Sequence, residues 1–181
     1  MDKKYIRNKY LKIRNNFSKK YIDNVSQKIS KNLFSLPIYD QAQNIFVYIS
    51  TENEINTNFI INQSLKHNKN VYCPVLTNKK HEMIFKQYNK NNLIKNKYNI
   101  LEPIYEKQKI SDSKTLVVVP ALVFNKNKYR IGYGGGYYDN FLKNNEYMSS
   151  VALCFSSFVE DFKPDVFDVA VHTIITEKYI Y

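Results

Sequence analysis

The stretch Arg130-Ile131-Gly132-Tyr133-Gly134-Gly135-Gly136-Tyr137-Tyr138-Asp139-Asn140-Phe141-Leu142 decides how the rest of the chain is read. The 181 residues include four glycines, and all four fall inside this window. Average usage of about 7% would give roughly a dozen, spread along the chain. Turns elsewhere rely on Asn, Asp, Ser and Pro, so consecutive glycines, costly in backbone entropy, mark a backbone with a special task. Upstream, Leu116-Val117-Val118-Val119 reads as a buried strand; downstream, Tyr138, Phe141 and Leu142 keep helical spacing. The glycines therefore sit where a loop opens a helix, with unpaired backbone N–H groups and a dipole that suits phosphate. No Gly-Lys-Ser/Thr follows, so this is not a P-loop, and Tyr137 stands where a dinucleotide fingerprint needs its third glycine. Spacing alone leaves phosphate binding and a tight turn both open. The flanks favour phosphate: Arg130 offers a permanent fork of donors, and Asp139 offers a carboxylate for a magnesium ion beside it.

Outward from that window, Ile45-Phe46-Val47-Tyr48-Ile49 is a continuous β-branched and aromatic run, the pattern of a strand buried on both faces. The polar loop Ser50 to Thr57 follows, with Thr57 the expected N-cap of a helix over 58–67, and Val71 to Leu76 completes a β-α-β unit. Ligands bind at the carboxyl ends of such strands, so Glu54 is either a ligand-facing group or a solvated loop carboxylate. Ile6, Tyr10, Ile13 and Phe17 predict a helix over 3–17, with Lys3, Arg7 and Arg14 in a row beside the apolar stripe. That row can face an anionic cleft or form a solvated edge with buried stems. A second helix, capped by Ser18, turns Ile22, Val25, Ile29, Leu33 and Leu36 inward and stops at Pro37. His81 to Tyr88 alternates as a strand does, Lys90 to Lys97 reads as a polar loop, and Tyr98 to Pro103 as an extended exit. Ser150 to Phe155 and Val169 to Ile175 are further predicted strands. Alternating strands and helices predict an α/β fold: one domain over 1–181, built as a three-layer α/β/α sandwich with a mainly parallel sheet.

Composition narrows the classes. A hydrophobic fraction of 44% and an aromatic fraction of 15% belong to a folded globule. No apolar run approaches the roughly 20 residues of a membrane span, and the lysine-rich start lacks a signal peptide's apolar centre. A cytoplasmic protein without membrane attachment is expected. Cys73 and Cys154 each lie in an apolar run and read as buried free thiols, while His67, His81 and His172 have no zinc spacing. The net charge is +11, with ten of the 27 basic residues in the first 31 positions. Such a footprint fits a nucleic acid, a small polyanionic ligand, or a Lys/Asn-rich surface. No recognisable nucleic-acid-binding motif accompanies it, and a basic nucleic-acid-binding protein stands as the rival reading.

With these pieces placed, the chain resembles the 5-formyltetrahydrofolate cyclo-ligase (methenyltetrahydrofolate synthetase) family over essentially its whole length. The resemblance rests, in order, on Lys3-x-x-x-Arg7, Tyr48-Ile49-Ser50 with Glu54-x-x-Thr57, Cys73-Pro74, Tyr98 to Pro103, Val119-Pro120, Arg130 to Asp139, and Asp168 ahead of Ile174-Ile175-Thr176-Glu177. It implies ATP as co-substrate, magnesium as cofactor and a reduced folate as substrate, with no nucleic acid, in a monomer. It implies that Lys3, Arg7 and Arg130 contact ATP phosphates while Gly132, Tyr133, Gly134, Gly135, Gly136, Tyr137 and Tyr138 cradle them. Asp139 and Asp168 would hold magnesium, Ile49, Glu54 and Tyr137 would border the folate, and Arg130 and Tyr137 are the expected catalytic pair. The sequence departs from the family's pattern at Ala121, where Gly is common, at Asn125, where Asp is common, near Lys128, where a Gly is expected, and at His172, where an acidic residue is usual. His172 is thereby expected to affect the surroundings of the magnesium site. Because the glycine loop is read as a binding element, removing Arg130 is expected to spare the ligand-free stability.

Overall fold

The computed structural model describes residues 2–104, 108–109, 111–146 and 148–181. Its helices are α1 (Lys3–Asn15), α2 (Lys19–Phe34), α3 (Pro37–Gln41), α4 (Asn58–Lys66) and α5 (Tyr137–Lys143). Its strands are β1 (Asn44–Val47), β2 (Asn70–Leu76), β3 (Met83–Gln87), β4 (Leu93–Lys95), β5 (Leu101–Pro103), β6 (Gln108–Lys109), β7 (Thr115–Pro120), β8 (Val123–Phe124), β9 (Arg130–Ile131), β10 (Ser149–Leu153) and β11 (Thr173–Ile175). Seven strands form one sheet in the order β11-β10-β7-β1-β2-β3-β6, and β4-β5 and β8-β9 form two small antiparallel sheets. From β11 to β2 every pairing is parallel; β3 pairs antiparallel with both β2 and β6.

The apolar runs fix the middle of this sheet. Ile45 lies between Val71 and Leu116 in register. Phe46 stacks on Phe85 at 4.3 Å between ring centres and meets Phe141 of α5 at 6.2 Å, so α5 covers that face. Successive strand side chains point to opposite faces. Ile45 and Val47 therefore look the other way, and they too are fully buried. Helices on both faces make the expected three layers.

Strand order also creates the crevice. From β1 the chain moves by α4 to β2 on one side; from β7 it moves by way of α5 to β10 on the other. Neighbours β1 and β7 are thus a point where the winding reverses, and their carboxyl ends diverge into the loop holding Glu54 and the loop holding the glycines. Open α/β sheets bind ligands at such a point.

Several local expectations change. In α1 the buried face is Ile6, Tyr10 and Arg14, whereas Ile13 is 39% exposed. The helix is rolled toward its basic row, because that row faces the crevice. Ser18 caps α2 as expected, accepting from the Tyr21 N–H, and the buried Ser26 and Ser30 donate back to carbonyls one turn earlier. Yet α2 ends at Phe34, and Pro37 opens the short α3 at a position where its missing N–H costs nothing. Thr57 precedes α4 without capping it through its side chain: its hydroxyl donates to Tyr48 O at 2.6 Å, tying the Glu54 loop to the end of β1. The Lys90 to Lys97 segment contains β4, and the strand expected over 169–175 is confined to Thr173–Ile175. Both cysteines are free and buried.

Candidate active site

One cleft of about 600 Å³ opens at the carboxyl ends of β1 and β7. All fourteen residues expected at the site line it: Lys3 and Arg7 from α1, Ile49 and Glu54 after β1, Arg130 and the run Gly132 to Asp139 after β9, and Asp168 before β11. Residues distant in sequence meet there because α1 crosses the mouth of the sheet.

The glycine loop has a distinct task at each position. Gly134 has φ +90° and Gly136 has φ +67°, a region that side chains with a Cβ avoid. A Cβ on Gly134 would lie 3.2 Å from the Arg7 guanidinium, so the absent side chain lets that cation lie against the loop. Gly135 has no positive φ; its constraint is the Tyr137 ring, 2.8 Å from where a Cβ would stand. A Cβ on Gly132 would meet nothing within 4 Å. The loop is clamped from outside by the turn between β2 and β3, where His81 Nδ1 donates to Gly135 O at 2.6 Å and His81 O accepts from the Asn140 amide. Helix α5 spans seven residues with Gly136 as a cap lacking a side-chain bond. So short a helix contributes little dipole, and the positive potential here comes from side chains instead.

Those side chains differ in how far they are committed. Arg7 Nε donates to Gly132 O at 2.7 Å, while its two terminal nitrogens take no protein partner among the described residues. Arg130 is buried at the floor, with Nη1 donating to Val169 O at 2.8 Å. Its Nη2 lies 3.1 Å from Asp139 Oδ1, close enough for charge attraction but not aligned for a hydrogen bond, so that donor is buried and unpartnered. Burial pushes the Arg130 guanidinium down from its ordinary value, and Asp139 opposes this; a guanidinium stays charged regardless. Arg130 thus carries a structural load that the sequence reading did not assign it. Lys3 reaches Asp165 at 2.7 Å and also pairs with Asp168. Burial disfavours its charge, but the hydrogen bonds to the two aspartates prevail and hold its pKa above the ordinary value.

At the other end Glu54 is buried and held by three hydrogen bonds. Its Oε2 accepts from the Thr51 N–H at 2.7 Å and the Thr51 hydroxyl at 2.9 Å, and its Oε1 accepts from the Tyr133 hydroxyl at 2.7 Å. Burial, then the charge of Glu54, push the Tyr133 and Tyr138 phenols well up, so both stay neutral. The Tyr138 hydroxyl is buried without a hydrogen-bond partner. Apolar walls come from Ile49, Pro74, Leu76 and Met83, and a rim from Tyr98, Ile100 and Leu101 of the β4-β5 hairpin.

Residues 1–177 match the model of the 5-formyltetrahydrofolate cyclo-ligase family. The chain belongs to that family. The 5-formyltetrahydrofolate cyclo-ligase of Haemophilus influenzae is 32% identical over 94% of this chain and 95% of that one. A probable 5-formyltetrahydrofolate cyclo-ligase of Schizosaccharomyces pombe is 32% identical over 67% of this chain, and the match spans 62% of that protein's length. The NMR structure of 5,10-methenyltetrahydrofolate synthetase from Aquifex aeolicus, 27% identical, aligns with a TM-score of 0.84 over 99% of this chain and 92% of that one.

Against that family two of the departures in sequence find local explanations. Lys128 has φ +65°, the left-handed conformation for which glycine is the natural residue. Asn125 is buried in the turn between β8 and β9, accepting from Asn127 and Tyr129 and donating to Phe162 O at 3.1 Å, a bond that an aspartate there would not make. His172 is exposed, bonded to Ser150, and not among the residues that line the cleft with Asp139 and Asp168. No cluster of three or more potential ligand side chains occurs among the described residues. Asp139 and Asp168 nevertheless each keep one oxygen, Oδ2 and Oδ1 respectively, with no partner among the described residues. Two carboxylates with free oxygens fit an ion such as magnesium, which takes few protein ligands and completes its shell with water and phosphate. No helix among the described residues is long and apolar enough to cross a membrane. The sequence reading gave no site role to Thr51, to His81 or to the β4-β5 rim, although Tyr98 to Pro103 is one of the family-like motifs.

Proposed function

We propose that this protein converts 5-formyltetrahydrofolate to 5,10-methenyltetrahydrofolate with consumption of ATP and release of ADP and phosphate, in the presence of magnesium. The observation that carries this is Arg130 Nη2, a buried donor without a hydrogen-bond partner, in the same cleft as the bonded carboxylate of Glu54. A buried unpartnered donor costs about 1–3 kcal/mol, which an arriving phosphate oxygen would offset. Arg7, lying against Gly134 with two nitrogens uncommitted, supports phosphate at the same end.

In this reading Arg7, Lys3 and Arg130 orient the triphosphate over the glycine loop, Gly132 to Tyr138. The folate lies between Ile49, Glu54 and Tyr137, with its formyl oxygen directed at the γ-phosphorus. That oxygen attacks, the bond to the β-phosphate oxygen breaks, and ADP leaves. The second folate nitrogen then attacks the activated carbon, loses its proton, and expels phosphate with the former formyl oxygen. Phosphoryl transfer depends on alignment and charge neutralisation more than on covalent help from the protein. Arg130 contributes charge from a site whose burial strengthens it, and the Tyr137 ring closes the loop side. Asp139 and Asp168 would hold magnesium, which supplies charge neutralisation at the phosphates.

The test is spectroscopic detection of the methenyl product from 5-formyltetrahydrofolate, with and without Mg-ATP and with chelator. Product and ADP should form in equal amounts and stop on chelation. Folded protein that releases no folate-dependent ADP overturns the reading; steeply salt-dependent binding to nucleic acid would then favour the rival.

A further inference from the structure

Arg14 is the buried charge that the site so far leaves unexplained. It belongs to the same face of α1 as Lys3 and Arg7, yet it does not line the cleft. It is 6% exposed and lies among Tyr48, Glu54 and Phe155. A buried guanidinium is costly unless paired. Here its Nη2 donates to the Tyr133 hydroxyl at 2.6 Å, and its Cζ sits 5.4 Å from the centre of that ring. The same hydroxyl lies 2.7 Å from Glu54 Oε1.

The directions of these bonds follow from chemistry. Arginine has no acceptor, so the phenol oxygen accepts from Arg14, and its single proton goes to Glu54. Thr51 supplies both donors to Oε2. A carboxylate has about four acceptor positions; protein groups fill all but one, and that one lies on Oε1. The other titratable groups facing Glu54 are Tyr48, whose hydroxyl donates to Ile55 O, and Tyr138; burial raises both phenols, so neither brings a competing charge.

We propose that Arg14 is a positioning residue of the reaction: acting through Tyr133, it orients Glu54 so that one acceptor position is presented to a single N–H donor of the reduced folate. This rests on the assignment of Glu54 to the folate end of the cleft.

Tyr133→Phe removes only the hydroxyl, and Arg14→Met keeps bulk without charge. Each should raise KM for 5-formyltetrahydrofolate about tenfold, the equivalent of one charge-assisted hydrogen bond. In Arg14→Met, which lies outside the cleft, kcat should change less than about twofold and Mg-ATP affinity should stay unchanged, as for lost uniform binding. The double variant should be no worse than either single one, because both act through one oxygen. Arg14→Lys should recover part of the loss. In ligand-free protein carrying ¹³C-labelled glutamate, the Glu54 carboxyl resonance should move in Tyr133→Phe and Arg14→Met and return partway in Arg14→Lys. Should Arg14→Met fail to fold, Arg14→Lys carries the affinity comparison and Tyr133→Phe the resonance. A Glu54 resonance indifferent to Arg14, additive losses in the double variant, or equal losses of folate and ATP affinity would overturn the positioning role while leaving the family activity intact. Wild-type protein that forms no methenyl product overturns the functional reading instead, whatever the resonance does.

Discussion

The two ends of the cleft are built on opposite plans. At the glycine-loop end, cationic donors go without hydrogen bonds: Arg7 keeps two uncommitted nitrogens, and Arg130 a buried Nη2 that has only the charge of Asp139 near it. At the Glu54 end the carboxylate is held by Thr51 and Tyr133 with Arg14 behind, and what stays unpaired there is one acceptor position on Glu54, the Arg14 Nε and the Tyr138 hydroxyl. One end offers unpaired cationic donors to an anion; at the other the Glu54 carboxylate is held by three hydrogen bonds before any ligand arrives. Strong charge on a flexible polyphosphate tolerates adaptive recognition, whereas discrimination of a planar ring system demands donors and acceptors already in place.

The comparison can be broken most severely at Arg130. Arg130→Ala would leave Asp139 beside the cleft floor without its cation and Val169 O without its donor. The Asp139 side chain is 24% exposed, so the loss comes mainly from the Val169 carbonyl left without its donor, about 1–3 kcal/mol. Urea unfolding should register a loss of that order, and Mg-ATP should no longer protect the variant against heat. Unchanged stability would show that the floor residue is purely a ligand group. This expectation reverses the one drawn from sequence, in which the loop was free of structural duty.

Next come the glycines, which should separate sharply. Gly134→Ala meets both a positive φ and the Arg7 guanidinium. Left-handed backbone costs an ordinary residue roughly 1–2 kcal/mol, so ATP affinity should fall about 5- to 30-fold. Gly132→Ala meets no protein atom within 4 Å and no positive φ, so its loss should be clearly the smaller of the two. Equal losses at the two positions, measured by nucleotide titration, would mean that the backbone shape is not what matters.

At the opposite end, Glu54→Gln keeps the shape but puts an amide where Thr51 or Tyr133 now donates. The folate KM should rise about tenfold with ATP affinity unchanged. A collapse of ATP binding alone would invert the assignment of the two ends.

Two smaller effects lie just outside the cleft. Lys128→Gly should relieve the left-handed φ in the turn that leads to Arg130 and raise stability by about 0.5–1 kcal/mol, visible as a higher Tm with unchanged turnover. The turn carrying His81 should respond to acid. A hydrogen bond from Thr77, outweighing slight burial, lowers the Glu82 carboxyl below its ordinary value. A lowered carboxyl adds stability above the ordinary carboxylate range and loses it as pH falls through the folded value. Amide protection factors in this turn should therefore drop on acidification, and Thr77→Val should flatten the response.

Much of this was legible in the chain itself. The strands at β1, β2, β7 and β10, the cap at Ser18 and the loop-to-helix junction at the glycines follow from local rules, because propensity and periodicity act over a few residues. The fourteen cleft residues could be named because they lie in runs whose order along the chain is distinctive. What only the tertiary structure decided is how those groups are employed. The roll of α1 that buries Arg14 and exposes Ile13, the docking of His81 on Gly135, the relay to Glu54, and the exclusion of His172 from the cleft all join residues tens of positions apart or more. No local pattern encodes them. A buried charge takes whatever partner the packed sheet and helices bring within hydrogen-bond reach, and that is settled only when the layers close.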